Sequence, residues 1–298
     1  MTALDVASVR IREVGPRDGL QAEAPVPVEG RVQLIEALAS AGLADIEAVA
    51  FVSPKAVPSM ADADKVLDLL PRTGGIRYIA LVPNLFGAQR AVAAQVDGMS
   101  VTVSASPAYN ARNVHMSVEE SVAAVAEICA LPARGTVDAV VSCAFGSPYE
   151  GDIAPAEVAA LGERLRAAGV DSLTYADTTG MATPRRIDEL VAETGADIGL
   201  HLHETRGTGL VNAYAALQLG VTRFDTSVGG LGGSPFAAGA AGNLATEDLV
   251  HLLDDLGVDT GVDLDRLLEA SAFVAELVGH PVPSRVAAAG PRSRLAAN

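Results

Sequence analysis

The chain has 298 residues, of which 49% are hydrophobic and 4% aromatic, and its formal net charge is -16. This length suits one α/β barrel of roughly 250 residues or two smaller domains, and the aliphatic content suits buried parallel strands. The negative charge disfavours binding to nucleic acid or to an anionic membrane surface, because both would be repelled.

Short apolar runs alternate with longer segments of helical periodicity, a pattern typical of repeated βα units around a parallel sheet. Eight strands are predicted at Val9–Val14, Asp45–Phe51, Ile76–Val82, Gly98–Ser104, Asp138–Cys143, Ser172–Asp177, Asp197–Leu202 and Arg223–Ser227. The helices between them include Val28–Ala41, Ser117–Leu131, Pro155–Ala168 and Pro184–Glu193. Eight such units favour a (β/α)8 TIM barrel.

A doubly wound open sheet is the competing architecture. It usually has fewer strands and commonly carries a glycine fingerprint after its first strand, which is missing here. After the eighth strand come the glycine-rich stretch GGLGGSPFAAGAAGN at 229–243, a helix from about Ala245 and an extra helix from Asp263 to Val278. We predict a single domain over residues 1–280 and a loose C-terminal tail over residues 281–298.

The glycine-rich stretch contains too many glycines for regular secondary structure. One interpretation is a flap that closes over the substrate and excludes water. The other is a flexible linker. The apolar helix that directly follows favours the flap.

Polar residues at the C-terminal ends of barrel strands carry the chemistry of such folds. His201 and His203 are two residues apart in a strand, so both rings point to the same face and could coordinate a metal. They could also be two hydrogen-bonded core histidines. Asp18 follows the first strand, and the amide oxygen of Asn243 is the candidate fourth ligand. This mixed oxygen and nitrogen set suits Mg²⁺ or Mn²⁺, although Zn²⁺ or Co²⁺ could bind.

Three further charged residues lie at strand ends beside these ligands. Arg17 is placed to stabilise an enolate as a carbon–carbon bond breaks. It could instead form an ion pair with Glu13, Glu47 or Asp177. Glu47 and Asp177 could orient metal-bound water, hold Arg17 or act as a base, and the sequence leaves these roles open.

Cysteine usage and the N-terminus bear on the compartment. Cys129 and Cys143 are too few for a disulfide framework. The N-terminus has no basic start followed by an apolar stretch, and no run approaches about 18 uninterrupted apolar residues. We therefore predict a cytoplasmic protein with no export signal and no membrane span.

Six motifs occur in order along nearly the whole chain. They are EVGPRDGLQ at 13–21, IEAVAFVSPKAVPSMAD at 46–62, SPYEG at 147–151, ADTTGMATP at 176–184, HLHETRG at 201–207 and GGLGGSPFAAGAAGNLATEDLV at 229–250. Together they resemble the 3-hydroxy-3-methylglutaryl-CoA lyase family, within a wider group of barrel metallolyases and condensing enzymes. The resemblance implies a metal-dependent lyase that splits this acyl-CoA into acetyl-CoA and acetoacetate.

The resemblance also implies roles for individual residues. The implied metal ligands are Asp18, His201, His203 and Asn243. Arg17 would neutralise the thioester oxygen of the enolate, and Glu47 and Asp177 match acidic positions important in the family. Lys55, Arg112 and Asn113 would bind coenzyme A, its phosphates meeting Lys55 or Arg112. A homodimer is expected by analogy.

The sequence departs from the family pattern at several positions. Ser234 stands where the family has a catalytic cysteine in the glycine-rich stretch, and Ser147 where it usually has cysteine. Pro107 replaces a usual Glu, Ala50 a common Ser, and HETRG the more usual HDTYG. A thiol has a pKa of roughly 8.5 and an alcohol is a far weaker acid, so proton transfer through Ser234 should be slower.

Three alternatives to this lyase follow from the departures and from the shared motifs. The first is a lyase of the same fold for a different 3-hydroxy-acyl-CoA. The second is a Claisen-type acyltransferase like isopropylmalate and homocitrate synthases, which share the RDG and HxH elements, although GP before RDG argues against it. The third is a degenerate lyase retained for binding, against which the full set of implied ligands argues.

Overall fold

The protein is described by a computed structural model over residues 6–72, 74–233 and 242–293. Within these residues eight parallel strands close into a barrel in chain order. The strands are β1 (Arg10–Glu13), β2 (Asp45–Ala50), β3 (Arg77–Leu81), β4 (Gly98–Ser104), β5 (Thr136–Ser142), β6 (Ser172–Ala176), β7 (Gly199–His201) and β8 (Arg223–Thr226). Because β8 pairs with β1, the predicted barrel is confirmed and the open sheet is wrong.

Helices surround the barrel and cover the outer faces of its strands. Within the described residues they are α1 (Val28–Ser40), α2 (Ala63–Leu69), α3 (Leu85–Ala93), α4 (Pro107–Val114), α5 (Val118–Cys129), α6 (Pro155–Ala167), α7 (Pro184–Thr194), α8 (Gly209–Gln218), α9 (Thr246–Leu256), α10 (Leu264–Val278) and α11 (Arg285–Ala289). In this part of the chain, none of the helices has the length and apolarity needed to cross a membrane.

The helix α1 shows how the outer layer packs. Leu34, Ile35 and Leu38 recur at helical spacing and are fully buried against the sheet, while Glu29 on the opposite face is exposed. Full burial of each such side chain contributes about 1.5–3 kcal/mol. This aliphatic layer holds the strands in place and leaves their C-terminal ends free to carry polar groups.

Residues 242–245 form an unpredicted extended segment across the C-terminal ends of β7 and β8. The N–H of Leu244 donates to the carbonyl of Leu202 at 2.9 Å, and the N–H of Ser227 donates to the carbonyl of Leu244 at 3.0 Å. His203 therefore lies beyond β7, in an antiparallel bridge with Asn243. This backbone pairing brings two distant parts of the sequence together.

Two buried glutamates hold the start of the glycine-rich stretch against the barrel. Glu13 Oε1 accepts hydrogen bonds from the N–H groups of Gly15 and Val228, at 2.7 and 2.8 Å. Glu247 accepts from the N–H of Gly229 at 2.9 Å. Burial raises the pKa of both carboxyls to about 7, although these hydrogen bonds oppose the shift.

The C-terminal segment differs from the loose tail predicted from residue 281. Its described part, up to residue 293, contains α11, which packs on α9. The buried Ser284 caps α11 and donates to Asp248 Oδ1 at 2.8 Å. A short helix held by one buried carboxylate leaves only a weak signal in sequence periodicity.

The Glu13→Gln variant tests the buried carboxyl at the end of β1. A folded-state pKa of about 7, above the ordinary 4.5, stabilises the fold at low pH, and this contribution is lost as pH rises through 7. We expect the urea midpoint of unfolding to fall less between pH 5.5 and pH 8 in the variant than in the wild type. The exposed Glu29→Gln control should keep the wild-type pH dependence, and an unchanged dependence in Glu13→Gln would contradict the assignment.

Candidate functional site

A single wide helical turn, Gly15–Gly19, positions Arg17 and Asp18 at the C-terminal end of β1. The N–H of Asp18 donates to the carbonyl of Val14 at 2.7 Å, which starts the turn directly after the strand. A Cβ atom on Gly15 would lie 2.6 Å from Glu13 Oε1, so the turn has room only for glycine here. The turn therefore directs Arg17 and Asp18 toward the barrel mouth.

Asp18, His201 and His203 converge at this end of the barrel. One possible ligand atom from each lies within 4.8 Å of the others. The two Nε2 atoms of His201 and His203 are 3.2 Å apart, and His201 Nε2 is 3.9 Å from Asp18 Oδ2. Both histidines are almost fully buried. Asp18 after the first strand and the two histidines at the seventh strand thus share one small volume.

Asn243 completes this cluster from the segment that crosses β7 and β8. Its Nδ2 donates to Asp18 Oδ2 and to the carbonyl of Leu231, both at 2.8 Å. Its Oδ1 is buried and has no hydrogen-bond partner among the described residues. Gly232 allows this approach, because a Cβ there would lie 2.4 Å from Asn243 Nδ2.

Asp225 orients His201 from below, and the sequence analysis missed it. Its Oδ2 lies 3.2 Å from His201 Nδ1, so the neutral ring that donates from Nδ1 to Asp225 has its free lone pair on Nε2. Asp225 lies within β8, in register with His201 on β7. An acidic residue inside a predicted barrel strand was the signal available in the sequence.

The surroundings keep His203 neutral and Asp18 ionised, as binding of a cation requires. Burial and the neighbouring His201 lower the pKa of His203 to about 3, so its imidazole is neutral. Burial acts against a charged His201, but the hydrogen bond to Asp225 and the charges of Asp225 and Asp18 together outweigh burial and raise the pKa of His201. Burial also opposes ionisation of Asp18, yet Arg17 and the histidines hold its pKa below the usual value.

The residues present fit a divalent cation. Two imidazole nitrogens face each other, a carboxylate lies beside them, and the carbonyl oxygen of Asn243 has no other partner in the described chain. Such a set of hard oxygen and imidazole donors is typical of Mg²⁺, Mn²⁺ or Zn²⁺ sites. The ligand assignment itself stays a prediction.

Arg17 pairs with Glu47, one of the three carboxylates considered as its partner. The guanidinium donates to Glu47 Oε2 through Nε and Nη2, and Nη1 donates to Asp18 Oδ1 at 2.6 Å. Glu47 Oε1 is buried with no partner in the described chain. Glu47 thus holds a buried cation directly beside the candidate metal ligands.

Asp177 follows β6 and has one occupied and one available oxygen. Its Oδ1 accepts from the N–H groups of Met181 and Ala182 at 2.6 and 2.9 Å. Its Oδ2 is buried without a partner among the described residues, and burial raises the pKa of this carboxyl to about 7. Its backbone N–H donates to the carbonyl of His201 at 2.8 Å. Asp177 can therefore exchange a proton near neutral pH beside His201.

The remaining predicted residues lie outside this cluster. Lys55 is exposed in the loop after β2, and Arg112 and Asn113 are exposed on α4, which follows β4. The Arg112 guanidinium stacks 4.3 Å over the Tyr149 ring. Ser234, with residues 235–241 of the predicted flap, lies outside the described residues.

Comparison with known proteins gives concordant matches. Residues 8–274 match the model of a family described as HMGL-like. The chain is 43% identical to the mitochondrial hydroxymethylglutaryl-CoA lyase of Rattus norvegicus, over 94% of this chain and 89% of that protein. It is 40% identical to the cytoplasmic 3-hydroxy-3-methylglutaryl-CoA lyase of the same organism, over 96% of this chain and 86% of that one.

Solved structures give the same result. An HMG-CoA lyase from A. baumannii, solved in complex with coenzyme A and 3-methylmalate, superposes with a TM-score of 0.93 at 41% identity and 100% coverage of both chains. Hydroxymethylglutaryl-CoA lyase from Pseudomonas aeruginosa superposes with a TM-score of 0.91 at 38% identity, covering 95% of this chain and 97% of that one.

Proposed function

The chain belongs to the HMGL-like family, and from this premise we propose that it is a divalent-metal-dependent lyase that splits 3-hydroxy-3-methylglutaryl-CoA into acetyl-CoA and acetoacetate. The observation that carries the proposal is the convergence of Asp18, His201, His203 and Asn243 beside the Arg17–Glu47 ion pair. This cluster lies at the end of the barrel where such folds carry catalytic groups.

The candidate ligands would hold Mg²⁺ or Mn²⁺, with Zn²⁺ or Co²⁺ as alternatives. Bound there, the ion supplies a Lewis acid that polarises substrate oxygens. The protein contributes the rest of the geometry. Asn243 is fixed by its two donated hydrogen bonds, and His201 is fixed by Asp225. A fixed ligand set lowers the reorganisation needed as charge develops.

Asp177 and Arg17 have the properties that the bond cleavage requires. The 3-hydroxyl proton passes to Asp177 Oδ2, and the alkoxide electrons form the carbonyl of acetoacetate as the C2–C3 bond breaks. The bonding pair moves through C2 onto the thioester oxygen, giving an enolate. Arg17, held by Glu47, neutralises that oxygen. A proton delivered to C2 then gives acetyl-CoA.

Ser234 occupies the sequence position proposed to deliver the last proton. The family resemblance implies a cysteine there, and an alcohol is a far weaker acid than a thiol of pKa roughly 8.5. We therefore assign Ser234 this role with a slower proton transfer. A related 3-hydroxy-acyl-CoA as the preferred substrate is the alternative that this substitution keeps open.

Coenzyme A requires a local positive site because the chain as a whole carries a formal charge of -16. Lys55, Arg112 and Asn113 follow β2 and β4, so they lie at the same end of the barrel as the metal cluster. We assign the coenzyme A phosphates to this group.

Cys129 and Cys143 are both free thiols, which suits the proposed cytoplasmic compartment. The homodimer stays a prediction.

Turnover of 3-hydroxy-3-methylglutaryl-CoA tests the proposed reaction. We expect release of acetyl-CoA and acetoacetate with Mg²⁺ or Mn²⁺ and none after chelation, measured by chromatography of both products. The His201→Ala variant should lose both turnover and bound metal, whereas His251→Ala, on the outer helix α9, should retain both.

Two outcomes would contradict this reaction. No product from metal-loaded protein would point to another acyl-CoA substrate or to a binding protein. A lyase keeps the thioester, so release of free thiol from acetyl-CoA in the presence of a 2-oxo acid would instead indicate a condensing enzyme.

The Ser234→Cys variant tests the proton-transfer role. A more acidic group should raise kcat by about tenfold or more, within the range that general acid–base catalysis supplies. The new thiol should also make the enzyme sensitive to iodoacetamide, with protection by substrate. Ser40→Cys, exposed on α1, is the matched control and should leave kcat unchanged. An unchanged or lower kcat in Ser234→Cys would show that Ser234 does not deliver the proton to C2.

A further inference from the structure

Arg12 is a charged residue inside the barrel, where TIM barrels usually have branched apolar side chains. Its Nη1 donates to Asp138 Oδ2 at 2.9 Å. Asp138 lies on β5, which is opposite β1 in the closed barrel, so Arg12 must extend across the interior. Only 12% of its side chain is exposed.

Arg12 also holds Asp225 with two parallel hydrogen bonds. Its Nε donates to Asp225 Oδ1 at 2.8 Å and its Nη2 to Asp225 Oδ2 at 2.7 Å. A paired guanidinium fixes the plane of a carboxylate as well as its position. The same Oδ2 atom lies 3.2 Å from His201 Nδ1. A continuous polar chain thus runs from Asp138 through Arg12 and Asp225 to His201.

Asp138, at the far end of this row of hydrogen-bonded groups, is itself held by other residues. The hydroxyls of Ser172 and Thr174 donate to Asp138 at 2.5 and 2.9 Å. Asp138 therefore has several partners and cannot easily follow a displaced Arg12. From Asp138 to His201, each of these groups therefore sets the orientation of the next one.

Asp225 depends on Arg12 for its orientation. Two of the hydrogen bonds that fix this buried carboxylate come from the Arg12 guanidinium. A buried carboxylate that loses its paired donors rotates toward water or toward other donors. It then no longer holds His201 Nδ1 in the same geometry.

We propose that Arg12 is a positioning residue for the metal centre, acting through Asp225 to hold the His201 ring with Nε2 toward the bound ion. The inference rests on the proposed function in that the cluster of Asp18, His201 and His203 binds a divalent cation. Asp225 Oδ2 is the atom that connects the Arg12 guanidinium to the His201 ring.

A cavity of about 230 Å³ at the N-terminal end of the barrel makes this residue testable. It is lined by Arg12, Asp138 and Asp225 among others, at the end of the barrel opposite the metal cluster. Replacing Arg12 with methionine leaves Asp225 next to this space, where water can solvate it. The fold is therefore expected to tolerate the substitution.

The test compares Mn²⁺ affinity in the wild type, Arg12→Met, Asp225→Asn and the double variant, by electron paramagnetic resonance of free Mn²⁺. Removing an outer partner of a metal-bound histidine typically weakens binding by about 10–100-fold, and we expect a loss of about tenfold in Arg12→Met. The double variant should bind no more weakly than Asp225→Asn, because Arg12 acts through Asp225. Arg10→Met, which removes the neighbouring ion pair with Asp45, should keep wild-type affinity.

A spectroscopic readout separates positioning from a general structural role. The visible bands of the Co²⁺-loaded protein should change shape in Arg12→Met and in Asp225→Asn but not in Arg10→Met. If Arg12→Met does not fold, Arg12→Lys replaces it, since lysine keeps the charge but not the paired donors. The Mn²⁺ affinity of Arg12→Lys should lie between that of the wild type and that of Asp225→Asn.

Several results would overturn the proposal. Wild-type Mn²⁺ affinity in Arg12→Met would show that Arg12 does not position His201, and it would leave the proposed lyase function intact. The same conclusion would follow from wild-type affinity in Arg12→Lys where that variant replaces Arg12→Met. Losses that add fully in the double variant show that Arg12 acts by a route other than Asp225. A wild-type protein that binds no divalent ion contradicts both the inference and the proposed function.

Discussion

Two imidazole nitrogens that lie 3.2 Å apart inside a protein constrain the polar groups around them. His201 Nδ1 is directed to Asp225, so His201 Nε2 faces His203 Nε2. The lone pairs of two such nitrogens repel unless a proton or a metal ion lies between them. Asp18 adds negative charge beside the pair, and Asn243 adds an unpartnered carbonyl oxygen within the described chain. The closed barrel fixes the strand ends from which these groups extend.

The constraint explains why both ends of the barrel contain buried charge. Below the histidines, Arg12 and Asp138 set the orientation of Asp225. Above them, Glu13 and Glu247 hold the backbone where the glycine-rich stretch begins, close to Leu231 and Asn243. Buried charges are costly, so a structure keeps them where a fixed geometry is needed. Here the geometry serves the two histidines and their neighbours.

Strand and helix order could be predicted from the sequence because hydrophobic periodicity reports burial directly. The spacing of His201 and His203 predicted a shared face for the same reason. The backbone bridge between His203 and Asn243 could not be predicted, since it joins an extended segment to a strand end with no periodic signal. Asp225 was missed because one acidic residue in a short strand resembles any surface carboxylate until its partners are known. Arg12 was missed because a single arginine in a short strand likewise resembles a surface cation until its partners are known.

The proposed chemistry depends most directly on a divalent ion lying between Asp18, His201 and His203, with Asn243 oriented so that its oxygen faces the ion. Crystals grown with Mn²⁺ and measured for anomalous scattering test this in one experiment. We predict one strong peak in contact with Nε2 of both histidines, an Asp18 carboxylate oxygen and Asn243 Oδ1. A peak elsewhere, or a peak at the histidines with Asn243 Nδ2 facing it, would contradict the proposed site.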